Sequence, residues 1–263
     1  MARLIMGIQP VREAIRAHGA AIDRVLVERG GGPTIDAIAR FAADRGIPTE
    51  LMPRGDLDKR AAGGRHQGVI AIAPDLRLVR LDALPVTEKS VIVALDGIMD
   101  PQNFGAVIRS AVALGASSIL WPEHSSAPLS PATFRASAGA VEHAVLCRVR
   151  SLQEAIMELS DTKGVTAVAL DANGPIELSE VPLDGPVMIV IGAEDKGVRR
   201  PVSRACKYVA RLPMRGPVAS LNASVAGALA LYEIVRQRQA REKSGAQTPS
   251  AAADPEGSAG SLG

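Results

Sequence analysis

The sequence predicts an α/β protein with a mostly parallel sheet in its larger C-terminal part, preceded by a smaller α/β unit. Two observations carry this expectation. Short apolar runs that read as buried strands alternate with segments of helical period, the pattern of parallel strands joined by crossover helices. The apolar run at 90–95 also breaks into a turn through Asp96, Gly97, Asp100 and Pro101, then opens a helix at Gln102 or Asn103. Open α/β sheets place their ligands at such strand-to-helix turns.

In chain order, residues 10–16 read as a short helix and 24–28 as a strand. Residues 34–44 form an amphipathic helix, with Ile35, Ile38, Ala39 and Ala42 at helical spacing. Strands at 47–51 and 69–73 complete a first domain over 1–74, and 75–88, which lack a clean period, read as a linker. A second domain spans 89–240, with strands at 90–95, 118–121, 165–170, 187–191 and 207–212. Its helices are expected near 102–114, 151–160, 198–205 and 220–239, the last with an apolar stripe of Leu221, Val225, Ala228, Leu229, Tyr232 and Val235. From Arg241 onward 15 of 23 residues are Gly, Ala, Ser or Pro, so 241–263 read as a disordered tail.

Composition narrows the function classes. Net charge is only +2, so no strong general attraction to nucleic acid follows, although 24 of the 30 basic residues are Arg, the side chain suited to bidentate phosphate binding. Aromatic residues make up 2%, too few for a base-stacking sheet. No run approaches the roughly 18 apolar residues of a membrane span, and the first residues lack the apolar stretch of a secretory signal. Cys147 and Cys206 stand alone, without disulfide or metal-ligand spacing. No metal site and a reducing cytoplasm are the expectation.

Three segments carry chemistry. The first is the turn at 95–109. Asn103 opens its helix, and Arg109 lies among Phe104, Val107, Ile108, Ala111 and Val112. A guanidinium among such neighbours is expected half-buried and in need of an anionic partner. In the second, an apolar strand ends at Gly192, where backbone can approach a ligand; Glu194 follows at the strand's carboxyl end, and Gly197 permits a tight turn. In the third, a strand ends in Leu212 and Pro213, Met214 leads into a Gly216-Pro217 turn, and Ser220 reads as the cap of the last helix. Asn222 in the first turn has no such structural explanation. A Gly-x-Gly-x-x-Gly fingerprint is absent, which disfavours a Rossmann dinucleotide enzyme.

These segments resemble one family. Leu-Asp-Gly-x-x-Asp-Pro-x-Asn-x-Gly-x-x-x-Arg, Ile-Gly-Ala-Glu-x-x-Gly-Val and Leu-Pro-Met-x-Gly-x-Val-x-Ser-Leu-Asn-x-Ser-Val-Ala are similar to the three motifs of the SpoU/TrmH group of SPOUT-class RNA 2′-O-ribose methyltransferases. With Met6-Gly7-Ile8 and His66-Gln67-Gly68 in the first domain, the chain looks most like the bacterial members that methylate a guanosine of 23S rRNA. The resemblance implies a SPOUT domain with a C-terminal trefoil knot, S-adenosylmethionine as cofactor, a homodimer with sites at its interface, and a first domain that binds rRNA. It assigns catalysis to Asn103, Arg109, Glu194, Ser220 and Asn222. It assigns cofactor binding to Gly192, Glu194, Leu212, Met214, Ser220 and Leu221.

Arg12, Arg16, Arg60, Arg65, His66 and Arg135 are the expected RNA contacts, with a structural loop role for His66 left open. An arginine stays protonated at neutral pH. Arg109 is therefore expected to bind a phosphate and stabilise developing alkoxide rather than act as base. A tRNA ribose methyltransferase and a non-catalytic rRNA-binding assembly factor are the competing readings. Retention of all five catalytic-type residues argues against the second.

Overall fold

A computed structural model of the chain describes residues 2–218 and 220–245. The first unit consists of β1 (Ala2–Met6), α1 (Ile8–His18), β2 (Arg24–Glu28), α2 (Pro33–Ala43), β3 (Thr49–Met52), α3 (Arg54–Ala61) and β4 (Val69–Pro74). Its strands lie in the order β1-β4-β2-β3, with β4 antiparallel to both neighbours and β2 parallel to β3. Ile15, Val25, Val27, Val69 and Ala71 form its core under α1 and α2. Neither β1 nor α3 follows from periodicity: α3 buries only Leu57 and Ala61, too little to mark a stripe.

The second unit contains β5 (Val91–Asp96), α4 (Pro101–Ala113), β6 (Ser118–Pro122), α5 (Pro131–Ala136), β7 (Val145–Val149) and α6 (Leu152–Lys163). It continues with β8 (Thr166–Leu170), β9 (Ile176–Glu177), β10 (Val187–Gly192), α7 (Arg200–Ala205), β11 (Tyr208–Arg211) and α8 (Ala223–Gly245). The seven strands run β7-β6-β5-β10-β8-β11-β9, every pair parallel. Helices cover both faces, so β5 and β10 are buried along their whole length and read as unbroken apolar runs. Phe104 of α4 meets Trp121 of β6 edge to face at 5.8 Å on one side. Leu152, Ile156 and Val202 of α6 and α7 pack on the other. The order reverses between β5 and β10, which makes their carboxyl ends the topological switch point.

Three expectations need correction. The segment 75–88 is no free linker: Leu84 is buried, and the Val79 amide donates to the Leu146 carbonyl at 2.8 Å, which ties the segment to edge strand β7. Helix α8 runs to Gly245, past the expected boundary at 240; the remainder of the expected tail, from 246, lies outside the described residues. The α8 stripe also faces the wrong way. Ala223, Ala230, Leu231 and Ile234 are buried, whereas Val225, Leu229 and Tyr232 are exposed. Ala223, Gly227 and Ala230 share the buried face with Leu231 and Ile234, and Val225, Leu229 and Tyr232 fall on the opposite side of the helix.

The two units are joined by a buried carboxylate. Glu142, its side chain fully covered, accepts Arg3 Nη1 at 2.8 Å, also pairs with Arg3 Nη2, and lies 2.8 Å from His18 Nε2. Glu13 and His143 pair beside it at 3.0 Å. Removing one partner of such a buried cluster strands the other charges. Glu142→Ala is expected to cost about 3 kcal/mol or more, read as a lower urea midpoint. An unchanged midpoint would remove this cluster as the clamp between the units.

Candidate active site

Three turns meet over the carboxyl ends of β5 and β10. At the first, the Asp100 carboxylate caps α4, accepting the Gln102 and Asn103 amides at 3.1 Å each. That cap releases the Asn103 side chain from capping and lets it point across the switch point. At the second, β10 ends in Gly192. A Cβ there would lie 2.0 Å from the Gly197 carbonyl carbon and 2.2 Å from the Val198 nitrogen. The strand thus ends in glycine because its own turn folds back onto it. Gly197, at φ 62°, closes that turn by donating its amide to the Ala193 carbonyl at 2.8 Å. Glu194 is carried on its outside. At the third, Asn222 rather than Ser220 caps α8, its Oδ1 accepting the Ser224 amide at 2.9 Å. Ser220 precedes the helix and remains exposed.

The side chains close into a triangle. Asn103 Nδ2 donates to Glu194 Oε1 at 2.8 Å, Asn222 Nδ2 donates to Asn103 Oδ1 at 3.0 Å, and Asn222 Nδ2 also donates to Glu194 Oε1. Glu194 Oε2 has no hydrogen-bond partner among the described residues. On one side of the triangle lies a cavity of about 320 Å³ whose walls include Gly192, Glu194, Leu212, Met214, Ser220 and Leu221. All six residues assigned to the cofactor thus line one space, at the small end of the range for ligand pockets. A second cavity of about 270 Å³, lined by Gly97, Met99, Asn103 and Glu194, adjoins it.

Arg109 does not join this cluster. It is exposed, and its guanidinium makes no hydrogen bond or ion pair among the described residues. At 100° per residue, α4 turns Phe104, Val107, Ile108 and Ala111 inward and puts Arg109 on the outer face with Gln102 and Ala113. Apolar neighbours in sequence therefore did not make it half-buried.

Of the expected RNA contacts, Arg65 and Arg135 come from different units to line one cavity with Gln67. Arg12 and Arg60 are exposed elsewhere, and Arg16 pairs with Glu13 at 2.6 Å. His66 is buried: Nε2 lies 2.8 Å from Asp58 Oδ1, and Nδ1 accepts the Gly68 amide at 3.1 Å. Both ring nitrogens are committed to the loop, so His66 is not an available RNA contact.

Sequence reasoning missed Asp96, fully buried at the end of β5, which accepts the Arg199 amide at 2.8 Å and its Nε at 2.7 Å. It also missed Asp171, Asn173 and Lys196 on the cavity wall. Their common signal is position just beyond a strand's carboxyl end. Burial pushes the Cys147 thiol up to about 11 and the Cys206 thiol up to about 12, which keeps both protonated and unreactive at neutral pH. No group of His, Cys, Asp and Glu suited to a metal ion occurs among the described residues, and no helix there is long and apolar enough to cross a membrane.

Comparison with known proteins bears on the same regions. A family model described as the SpoU rRNA Methylase family matches residues 90–232, and one described as RNA 2′-O ribose methyltransferase substrate binding matches 4–79. A protein of Mycolicibacterium vanbaalenii described as an uncharacterized tRNA/rRNA methyltransferase is 37% identical over 243 residues, 90% of this chain and 77% of that one. The structure of the SpoU methyltransferase AviRb from Streptomyces viridochromogenes, in complex with AdoMet, superposes with a TM-score of 0.76 at 28% identity, covering 91% of each chain. A TrmH/SpoU tRNA modifying enzyme of A. aeolicus reaches a TM-score of 0.53 at 25% identity, covering 65% of this chain and 86% of that one.

Gly192→Ala is expected to force the 193–198 turn outward and weaken S-adenosylmethionine binding by roughly tenfold or more, measured by titration calorimetry. Gly185→Ala, where a Cβ meets nothing within 4 Å, is the control. Equal affinities for the two variants would contradict the close-approach account.

Proposed function

The chain belongs to the SpoU rRNA methylase family, and from that premise we propose that it methylates the ribose 2′-hydroxyl of a guanosine in large-subunit rRNA, using S-adenosylmethionine. The observation that carries the reading is the Asn103–Glu194–Asn222 triangle at the mouth of the cavity. The residues present fit the cofactor. Ile191, Leu212, Leu221 and Ala226 supply apolar walls for a purine, and Asp171, Asn173 and Ser220 supply polar partners at the rim. S-adenosylmethionine, when bound, supplies the electrophilic methyl group.

The rest of the work falls to the chain. In-line attack requires the 2′-hydroxyl to be held at one angle, which contributes much of the rate. In the adjoining cavity Asn103 orients the ribose, Asn222 holds Asn103, and Glu194 Oε2 is left as an acceptor for the hydroxyl proton. Arg109 binds the neighbouring phosphate and steadies the developing alkoxide. Because Arg109 is turned away from the triangle of its own chain, the complete site takes Arg109 from a second copy. The exposed Val225, Leu229 and Tyr232 on α8, which packs against α4, supply an apolar surface for that contact. Such a homodimer also accommodates the trefoil-knotted SPOUT domain implied by the motif resemblance.

The substrate-binding match at residues 4–79 favours rRNA over tRNA, since the tRNA modifying enzyme covers only 65% of this chain. Arg65 and Arg135 are the phosphate contacts that join the two units, with Arg12 and Arg60 on the flanks. Residues 1–74 would then act as the substrate-binding domain and 89–240 as the methyltransferase domain, in a cytoplasmic enzyme.

The test is transfer of labelled methyl from S-adenosylmethionine to separated rRNA and tRNA, with alkali-resistant ribose positions mapped. Label at one guanosine of the large-subunit rRNA is expected; transfer to tRNA alone overturns the rRNA assignment, and transfer to neither overturns the enzyme. Arg109→Ala and Asn103→Ala are each expected to lose activity by about 100-fold. Mixing and refolding the two variants together should restore up to about a quarter of wild-type activity in mixed dimers. No recovery would put Arg109 and Asn103 to work within one chain.

A further inference from the structure

Beyond the switch point, on the side away from the cofactor cavity, a further cavity of about 270 Å³ opens at the carboxyl ends of β6 and β7. Its lining includes His124, Arg150, Ser151, Gln153 and Arg199. Arg199 is set in place by a buried carboxylate: Asp96 accepts its amide at 2.8 Å, its Nε at 2.7 Å and its Nη2 at 2.6 Å. The amide bond holds the backbone, the Nε and Nη2 contacts hold the guanidinium, and Nη1 is left without a partner among the described residues. Arg150 and His124 are exposed, and their side chains make no hydrogen bond or ion pair there.

The charge balance favours an anion. Asp96 is neutralised by Arg199, and the flanking carboxylates Glu123 and Glu154 do not line the cavity. A structural role for the Asp96–Arg199 pair accounts for Arg199 alone. It leaves Arg150 on the same cavity with no lining carboxylate to offset its charge. A planar guanidinium with free N–H groups matches phosphate oxygens in geometry as well as charge.

The cavity lies over β6 and β7, about 5–10 Å of strand spacing from β5, within one nucleotide's reach of a ribose held at Asn103. We propose that this cavity holds a backbone phosphate of the substrate RNA, next to the acceptor nucleotide, between Arg150, His124 and the Asp96-anchored Arg199. The assignment rests on the methyl-transfer reading above.

The double variant Arg150→Ala/His124→Ala tests it in the full-length enzyme. KM for rRNA is expected to rise about tenfold, and the slope of log affinity against log salt to fall by about one. Cofactor affinity and kcat at saturating RNA should stay within about twofold of wild type, and Arg150→Lys should recover part of the loss. Inorganic phosphate at matched ionic strength should compete with RNA on the wild type more than on the double variant. An unchanged KM and salt slope, a fall in kcat without a change in KM, or equal inhibition by phosphate overturns the proposal. If the wild type binds rRNA but transfers no methyl, the methyl-transfer reading fails separately, and the RNA affinities of the two proteins still decide whether the cavity holds phosphate.

Discussion

The site depends on one close approach, that of the Gly192 backbone to Gly197 and Val198. A strand normally delivers its chain outward at its carboxyl end. Here the absence of a side chain lets the turn fold back on the strand, and Gly197 closes it at a positive φ. The turn is anchored beyond its far end as well, because Asp96 of the neighbouring strand captures the Arg199 amide. Pinned on both sides, the turn lifts Glu194 above the gap between β5 and β10, where Asn103 and Asn222 reach it. Backbone packing thus places the carboxylate, and two amide side chains orient it.

The sheet organises everything else. Cavities line up along its carboxyl edge, the cofactor space over β10, β8 and β11, a second space over β5, and the cationic space over β6 and β7. Each strand contributes at its end rather than along its length, since both faces are sealed by helices. The outer surface of α4 and α8 is the exception. It carries an unpaired arginine beside three exposed apolar side chains, Val225, Leu229 and Tyr232, and only the apolar groups would gain by being covered.

Much of this was legible in the sequence. Strands β5, β8 and β10 announce themselves as apolar runs because parallel strands covered on both faces carry no polar alternation. Of the residues the three motif segments single out, Asn103, Glu194 and Asn222 converge at the strand ends, whereas Arg109 of the first segment does not. The failures have physical causes. The apolar run of β7 is interrupted by the exposed Arg148, and the strand lies at the sheet's edge, where a polar side chain is tolerated. Arg109 was misjudged because neighbours in sequence are not neighbours around a helix. The α8 stripe was misread because alanine and glycine share the buried face with Leu231 and Ile234, while Val225, Leu229 and Tyr232 stay outside. His66 looked like an RNA contact, although its spacing reflects a loop that consumes both ring nitrogens.

The central claim is that Asn103, Glu194 and Asn222 act as one catalytic unit. A double-mutant cycle on kcat/KM for methyl transfer, built from Asn103→Ala, Asn222→Ala and the pair, tests it most directly. Strong coupling is predicted, with the double variant about as slow as the worse single variant. Losses that simply multiply would show that the two asparagines act independently and would contradict the account.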